Sequence, residues 1–299
     1  MTTNDSIYQA RRAPRREFLT VRGLRHGLHR WGPDDGEPWV LLHGFQDNGA
    51  TFQFLVDELP DDWPCIAIDW RGFGASEWAP GGYWFPDYFA DLEALLDRLV
   101  GDRPARLVGH SMGGNVATQY AGIRPQRVAA LVSLEGFGLP RRRADDAPGQ
   151  IARWLDQLGE PLVETSRHAG PREFGEWLSS RNPRLSRDRA LFIAQHWLQR
   201  SEGGWRHAFD PRHRHVNPVL YRREEVEASW RRIQAPTLLL LGDSSEYRPR
   251  LGEDGTDDYF ADKIADLRIV TLAQAGHMLH HEQPAECARH IMEFAARLP

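Results

Sequence analysis

The stretch Ala105 to Gly114, ARLVGHSMGG, constrains the fold more than any other part of this chain. Its apolar residues Leu107 and Val108 run into Gly109-His110-Ser111-Met112-Gly113, a G-x-S-x-G pattern, and Asn115 to Ala121 continue as the opening turns of a helix. A strand that turns sharply into a helix leaves no room for β-carbons beside the turn, which gives the flanking glycines a steric cause. Ser111 would then point into a cleft. A five-residue match is weak by itself, so its surroundings decide.

With 299 residues the chain can bury a full core, and one core carrying an insertion is expected rather than two domains. Hydrophobic residues make up 41% and charged residues 26%, and 42 acids against 37 bases give a net charge of −5. That balance argues against a nucleic-acid partner. The N-terminus is basic but has no apolar h-region, and no run reaches the length of a bilayer span, so a cytoplasmic protein is expected. Cys65 and Cys287 stand in separate elements without metal-like spacing. Both read as buried apolar fillers.

Residues 1 to 15 are polar and arginine-rich and read as a frayed arm. Glu17 to Val21 and Leu24 to Trp31 suit a hairpin. Trp39 to Leu42 is a buried-strand run ending at His43-Gly44-Phe45-Gln46-Asp47-Asn48-Gly49, after which Phe52, Leu55, Val56 and Leu59 take helical spacing. Cys65 to Ile68 is the next strand, followed by a glycine-punctuated loop from Asp69 to Ser76 and a helix from Asp87, its N-cap, to Val100. After the Ser111 turn and its helix, Arg127 to Leu134 forms a strand closed by Glu135-Gly136-Phe137-Gly138. Strands alternating with helices predict a doubly wound, mostly parallel α/β sheet. From Leu139 to about Arg232 the alternation stops; helical patches such as Ile151 to Leu158 and Arg189 to Leu198 occur without a convincing strand. This predicts a helical cap over residues 137–232, inserted into a core of residues 1–136 and 233–299. Pro236 to Leu241 and Leu267 to Leu272 are the last strands, and Pro284 to Leu298 is an amphipathic closing helix.

Taken together, the His43-Gly44 loop, the D-x-x-G-x-G-x-S loop from Asp69, the serine turn, the insertion and the Gly276-His277 segment resemble the α/β-hydrolase superfamily over nearly the whole chain. LHGFQDNGATF and SLEGFG resemble its serine hydrolase-like branch, whose members are typically esterase-type hydrolases. A free serine hydroxyl is a poor nucleophile and needs a base. The resemblance nominates His277, just after the last strand, over His280 and His281, which read as surface or capping residues. In this fold the order is serine, acid, histidine. The commoner acid position is a G-x-x-D motif, yet Gly242-Asp243-Ser244-Ser245 has serine in the aspartate's place. The other position, used in one branch of the haloalkane dehalogenases, holds Glu135. We therefore expect Glu135 as the acid, with Glu246 and then Asp243 in reserve. Backbone N–H groups of Met112 and Phe45 would form the oxyanion hole.

A serine esterase with the triad Ser111, His277 and Glu135 is the expected function. It would act on a small molecule with an apolar moiety and need neither cofactor nor metal. Tryptophans of the cap could line the pocket or simply pack the cap on the core. Gln46, Asp47 and Asn48 read as turn-stabilising, Asp69 and Arg71 as structural, and the loose His207, His213 and His215 group as no metal site. A carbon–carbon bond hydrolase or a cofactor-free perhydrolase would use the same triad, and a non-catalytic binding protein would keep the fold alone. An aspartate at the turn, as in epoxide hydrolases and dehalogenases, is excluded by Ser111. Association into a homo-oligomer is left open.

Overall fold

The computed structural model describes residues 6–162, 166 and 168–298. The strands are β1 (Arg15–Val21), β2 (Leu24–Trp31), β3 (Trp39–Leu42), β4 (Cys65–Ile68), β5 (Ala105–His110), β6 (Val128–Leu134), β7 (Leu198–Ser201), β8 (Gly204–His207), β9 (Thr237–Gly242) and β10 (Leu267–Leu272). The helices are α1 (Gln53–Val56), α2 (Phe85–Leu99), α3 (Met112–Ile123), α4 (Ala147–Leu158), α5 (Pro171–Arg181), α6 (Arg187–Trp197), α7 (Arg223–Trp230), α8 (Asp257–Ala261), α9 (Leu279–Glu282) and α10 (Pro284–Ala295).

Eight strands form one sheet in the order β1-β2-β4-β3-β5-β6-β9-β10. The β1–β2 hairpin joins β4 antiparallel, and every pairing beyond it is parallel. Short apolar strands such as Trp39–Leu42 and Cys65–Ile68 are buried on both faces, as a parallel sheet covered by helices requires. Alternation assigns their side chains: Val40, Leu42 and Leu107 join the core beneath α2 and α3, while Trp39, Leu41 and Val108 join the core shared with α1 and α10. Each fully buried leucine or valine contributes about 1.5–3 kcal/mol. The doubly wound sheet is thus as expected, and both cysteines are buried and unpaired.

Three local expectations are corrected. Residues 6–14 do not fray: Tyr8 O–H donates to Asp57 at 2.8 Å and its ring meets Phe54 and Phe192, while Arg11 and Arg12 donate to the backbone carbonyls of Asp57, Val56 and Leu59. The helix at Asp87 starts earlier, with Trp84 as N-cap and Pro86 in the first turn, and Asp87 lies inside it. The segment between β6 and β9 contains a hairpin, β7–β8, which polar residues and a Gly203-Gly204 turn had disguised.

Candidate active site

The sheet's geometry fixes the serine. Ser111 N–H continues the ladder by donating to Leu134 O at 2.8 Å, and the chain then turns into α3. The turn leaves no space for side chains: a β-carbon on Gly113 would lie 2.1 Å from Leu42 O, and one on Gly44 would lie 2.7 Å from His110 Nδ1 and 3.2 Å from Ser111 Cβ. The close contact at Gly44 presses the loop after β3 against the serine turn. Ser111 itself has φ 49° and ψ −112°, a conformation that costs about 1–3 kcal/mol and persists only where packing enforces it. Among the described residues five non-glycine positions have positive φ, and four of them, Gln46, Ser111, Glu135 and Gln274, lie in the strand-end loops that build this site.

His277 stands between Ser111 and Glu135. Ser111 Oγ is 2.9 Å from His277 Nε2, and His277 Nδ1 is 3.2 Å from Glu135 Oε2. Glu135 is buried at the end of β6; its N–H donates to Leu240 O, and its carboxylate accepts the Gly242 N–H at 2.8 Å. The carboxylate also accepts the Ser245 hydroxyl. Ser245 stands where a G-x-x-D motif would place its aspartate, and a serine there carries no sequence signal for a role beside the acid. The reserve acids Asp243 and Glu246 are exposed, and Asp243 accepts from Ser244 Oγ.

The loop carrying His277 is held by Glu282, whose carboxylate accepts from Gly276 N–H at 2.5 Å, Arg184 Nε at 2.9 Å and Asn182 Nδ2 at 2.7 Å. The loop after β3 is equally fixed. His43 is fully buried, accepts Trp70 N–H at Nε2 and donates from Nδ1 to Gly44 O, and burial lowers its pKa. Asp69 accepts Gly49 N–H and Ala75 N–H, and Arg71 forms a buried ion pair with Asp91, so both are structural as expected. Phe45 lies on the turn closed by Asp47 N–H donating to Gly44 O, and Met112 opens α3, where the first N–H groups lack intrahelical acceptors. The rings of Phe45 and Tyr247 are part-exposed, and Tyr247 lies 4.3 Å from the His277 ring.

His280 and His281 are not surface residues. Both are buried behind His277 together with His110 and Asp47, because α9 turns inward against Phe52 and Phe54. Burial lowers the pKa of His110 and His281 well below the ordinary imidazole value, with the neighbouring His280 adding to the effect. Burial alone would raise Asp47; the facing imidazoles of His280, His281 and His43 outweigh it and hold the carboxyl well below its ordinary range. Asp47, His110 and His280 are the one group of potential metal ligands found close together among the described residues. His213, by contrast, stacks between Phe73 and Tyr83 at 3.9 and 3.5 Å and serves packing.

No helix among the described residues is long and apolar enough to cross a membrane. The profile of the alpha/beta hydrolase family matches residues 39–290. A serine hydrolase-like protein of Danio rerio is 30% identical over 271 residues, covering 88% of this chain and 83% of its own. A 2-(acetamidomethylene)succinate hydrolase of Mesorhizobium japonicum is 25% identical, covering 87% and 88%. Among solved structures, the thioesterase domain from the curacin biosynthetic pathway superposes with a TM-score of 0.81 at 26% identity, covering 94% of this chain and all of that domain. Matched over most of its length by the family profile, and across a doubly wound sheet with a serine turn at the end of β5, the chain belongs to the alpha/beta hydrolase family.

Proposed function

We propose that the protein is a serine hydrolase that cleaves a carboxylic ester or related acyl bond through an acyl-enzyme. The observation that carries this reading is the unbroken relay from Ser111 Oγ through His277 to the buried Glu135 carboxylate. In the first half-reaction Ser111 Oγ attacks the acyl carbon while His277 Nε2 takes the hydroxyl proton. Glu135 holds the Nδ1–H tautomer and stabilises the imidazolium. The oxyanion is received by the N–H groups of Phe45 and Met112, each worth about 3–4 kcal/mol in the transition state. His277 then gives its proton to the departing alkoxide. Water, deprotonated by the same imidazole, attacks the acyl-enzyme and frees Ser111.

Carbon-rich surface on Phe45, Met112 and Tyr247 beside Ser111 supports an apolar substrate moiety, and residues 137–232 act as the cap that bounds it. The relatives named as a serine hydrolase-like protein and as a thioesterase domain fit the same chemistry. Hydrolysis of p-nitrophenyl butyrate by Glu135→Gln and Glu246→Gln tests the assignment. The first should lose orders of magnitude in kcat and the second should stay within about twofold. The opposite pattern would move the acid to the loop after β9.

A further inference from the structure

Asp47 lies two residues beyond Phe45 and is 2% exposed. Its Oδ1 accepts three hydrogen bonds, from Asn48 N–H at 2.8 Å, Thr51 Oγ1 at 2.7 Å and Trp197 Nε1 at 2.8 Å. The first two lock its own turn. The third comes from the end of α6 in the inserted segment, and Asn48 Nδ2 donates in parallel to His196 O at 2.9 Å. Its Oδ2 faces the other way, with His281 Nε2 at 3.6 Å and His280 Nε2 at 3.8 Å. The His280 ring is 4.2 Å from that of His110, which precedes the serine and donates from Nε2 to His277 O at 2.9 Å.

One buried carboxylate therefore bonds its own loop, which carries Phe45, and the insertion, and it faces the segment that carries His277, whose His280 ring lies against His110 beside Ser111. Local turn formation needs only Oδ1 with Asn48 and Thr51. It does not account for an indole from α6, or for Oδ2 being buried toward two imidazoles without a hydrogen bond to either, an arrangement in which each unpaired polar group costs about 1–3 kcal/mol. Ligand atoms of Asp47, His110 and His280 lie within 4.8 Å of one another, so metal analysis belongs to the test below.

We infer that Asp47 is a positioning residue that sets the Phe45 N–H group against Ser111 and His277 and couples this alignment to the seating of α6. The inference rests on the reading of Ser111 as nucleophile. Asp47→Asn retains an acceptor for Trp197 and Thr51 but removes the charge from the histidine side; Trp197→Phe removes only the link to the insertion.

The test is steady-state hydrolysis of p-nitrophenyl butyrate by wild type, Asp47→Asn and Trp197→Phe. Thermal unfolding and metal analysis of each protein accompany it, with fluorophosphonate labelling of wild-type Ser111 as the control for the underlying reading. A displacement of the oxyanion loop by about 1 Å costs on the order of 10²-fold. Asp47→Asn should therefore lose roughly 10- to 100-fold in kcat with KM within about threefold, and Trp197→Phe should lose less, with the same split. Should Asp47→Asn fail to fold, His280→Gln keeps the carboxylate, removes one facing imidazole and carries the same expectation. Folded variants whose kcat stays within a factor of two of wild type would overturn the inference, leaving Asp47 a purely structural residue. So would a stoichiometric metal in wild type that Asp47→Asn loses. A wild type that neither labels nor turns over would instead remove the hydrolase reading itself, and this inference with it.

Discussion

The strand-end loops and the inserted segment between β6 and β9 are built in opposite ways. The loops around Ser111 are strained and densely hydrogen-bonded: Glu135, Glu282, His43 and Asp69 each hold two or more partners. The insertion is anchored unevenly: Phe209 pairs with Phe73, and α7 buries Val226 and Trp230 in the core beneath the sheet. Its helix α6 buries Ala190, Leu191, Ile193 and Ala194 and reaches the site through Trp197, and Arg184 reaches it through Glu282. Its helix α4 buries no residue at all and leaves Ile151, Leu155 and Leu158 exposed. Chemistry that needs sub-ångström placement is put on the rigid sheet, while α4, which buries no residue, is free of that demand.

That contrast can be broken from the rigid side first. Ser111→Ala should lower kcat by roughly 10⁴- to 10⁶-fold without shifting the unfolding midpoint, measured by hydrolysis assay and by calorimetry. Glu135→Gln comes next, at roughly 10³- to 10⁴-fold in kcat, because the imidazole loses the group that fixes its tautomer. Ser245→Ala removes one donor to the same carboxylate and should cost about tenfold, read as a kcat loss at unchanged KM.

Smaller effects probe the anchored parts of the insertion. Burial lowers His213 from 6.5 to about 3 and His196 to about 4. The unfolded chain binds those protons first, so this stability is complete above pH 6.5 and is lost as pH falls toward 4 and then 3. Each group contributes a slope of about 1.4 kcal/mol per pH unit within its window. Urea titrations at pH 7, 6 and 5 should show it, and His213→Phe, which preserves the stack with Phe73 and Tyr83, should flatten it. The smallest effect belongs to α4: Leu155→Ser should change stability by no more than about 0.5 kcal/mol and kcat by less than twofold. A large loss of activity there would erase the distinction between α4 and the anchored parts of the insertion.

The sheet was legible because its strands are short apolar runs with periodic helices between them, and β10 falls on the residues expected, Leu267–Leu272. Ser111, His277 and Glu135 could be named because each sits at a strand end where chain order and motif leave few candidates, and the fold brings the three side chains within hydrogen-bonding distance. The rest depends on partners distant in sequence. Nothing local marks His280 and His281 as buried, since that follows from the rings of Phe52 and Phe54 more than 200 residues earlier, nor Asp47 as the acceptor of an indole 150 residues away. The β7–β8 hairpin was missed because Gln199, Arg200, Arg206 and His207 carry no apolar alternation. The ordered residues 6–14 were missed because arginines that donate to carbonyls look, in sequence, like a solvated arm.

The central claim is that the strand-end loops hold an activated serine, and active-site labelling tests it most directly. The protein would be incubated with a fluorophosphonate, its intact mass measured and the modified peptide mapped. A single adduct on Ser111 that disappears in His277→Ala is expected. A folded wild type that gains no adduct from a probe small enough to enter, or one labelled at another residue, would contradict it.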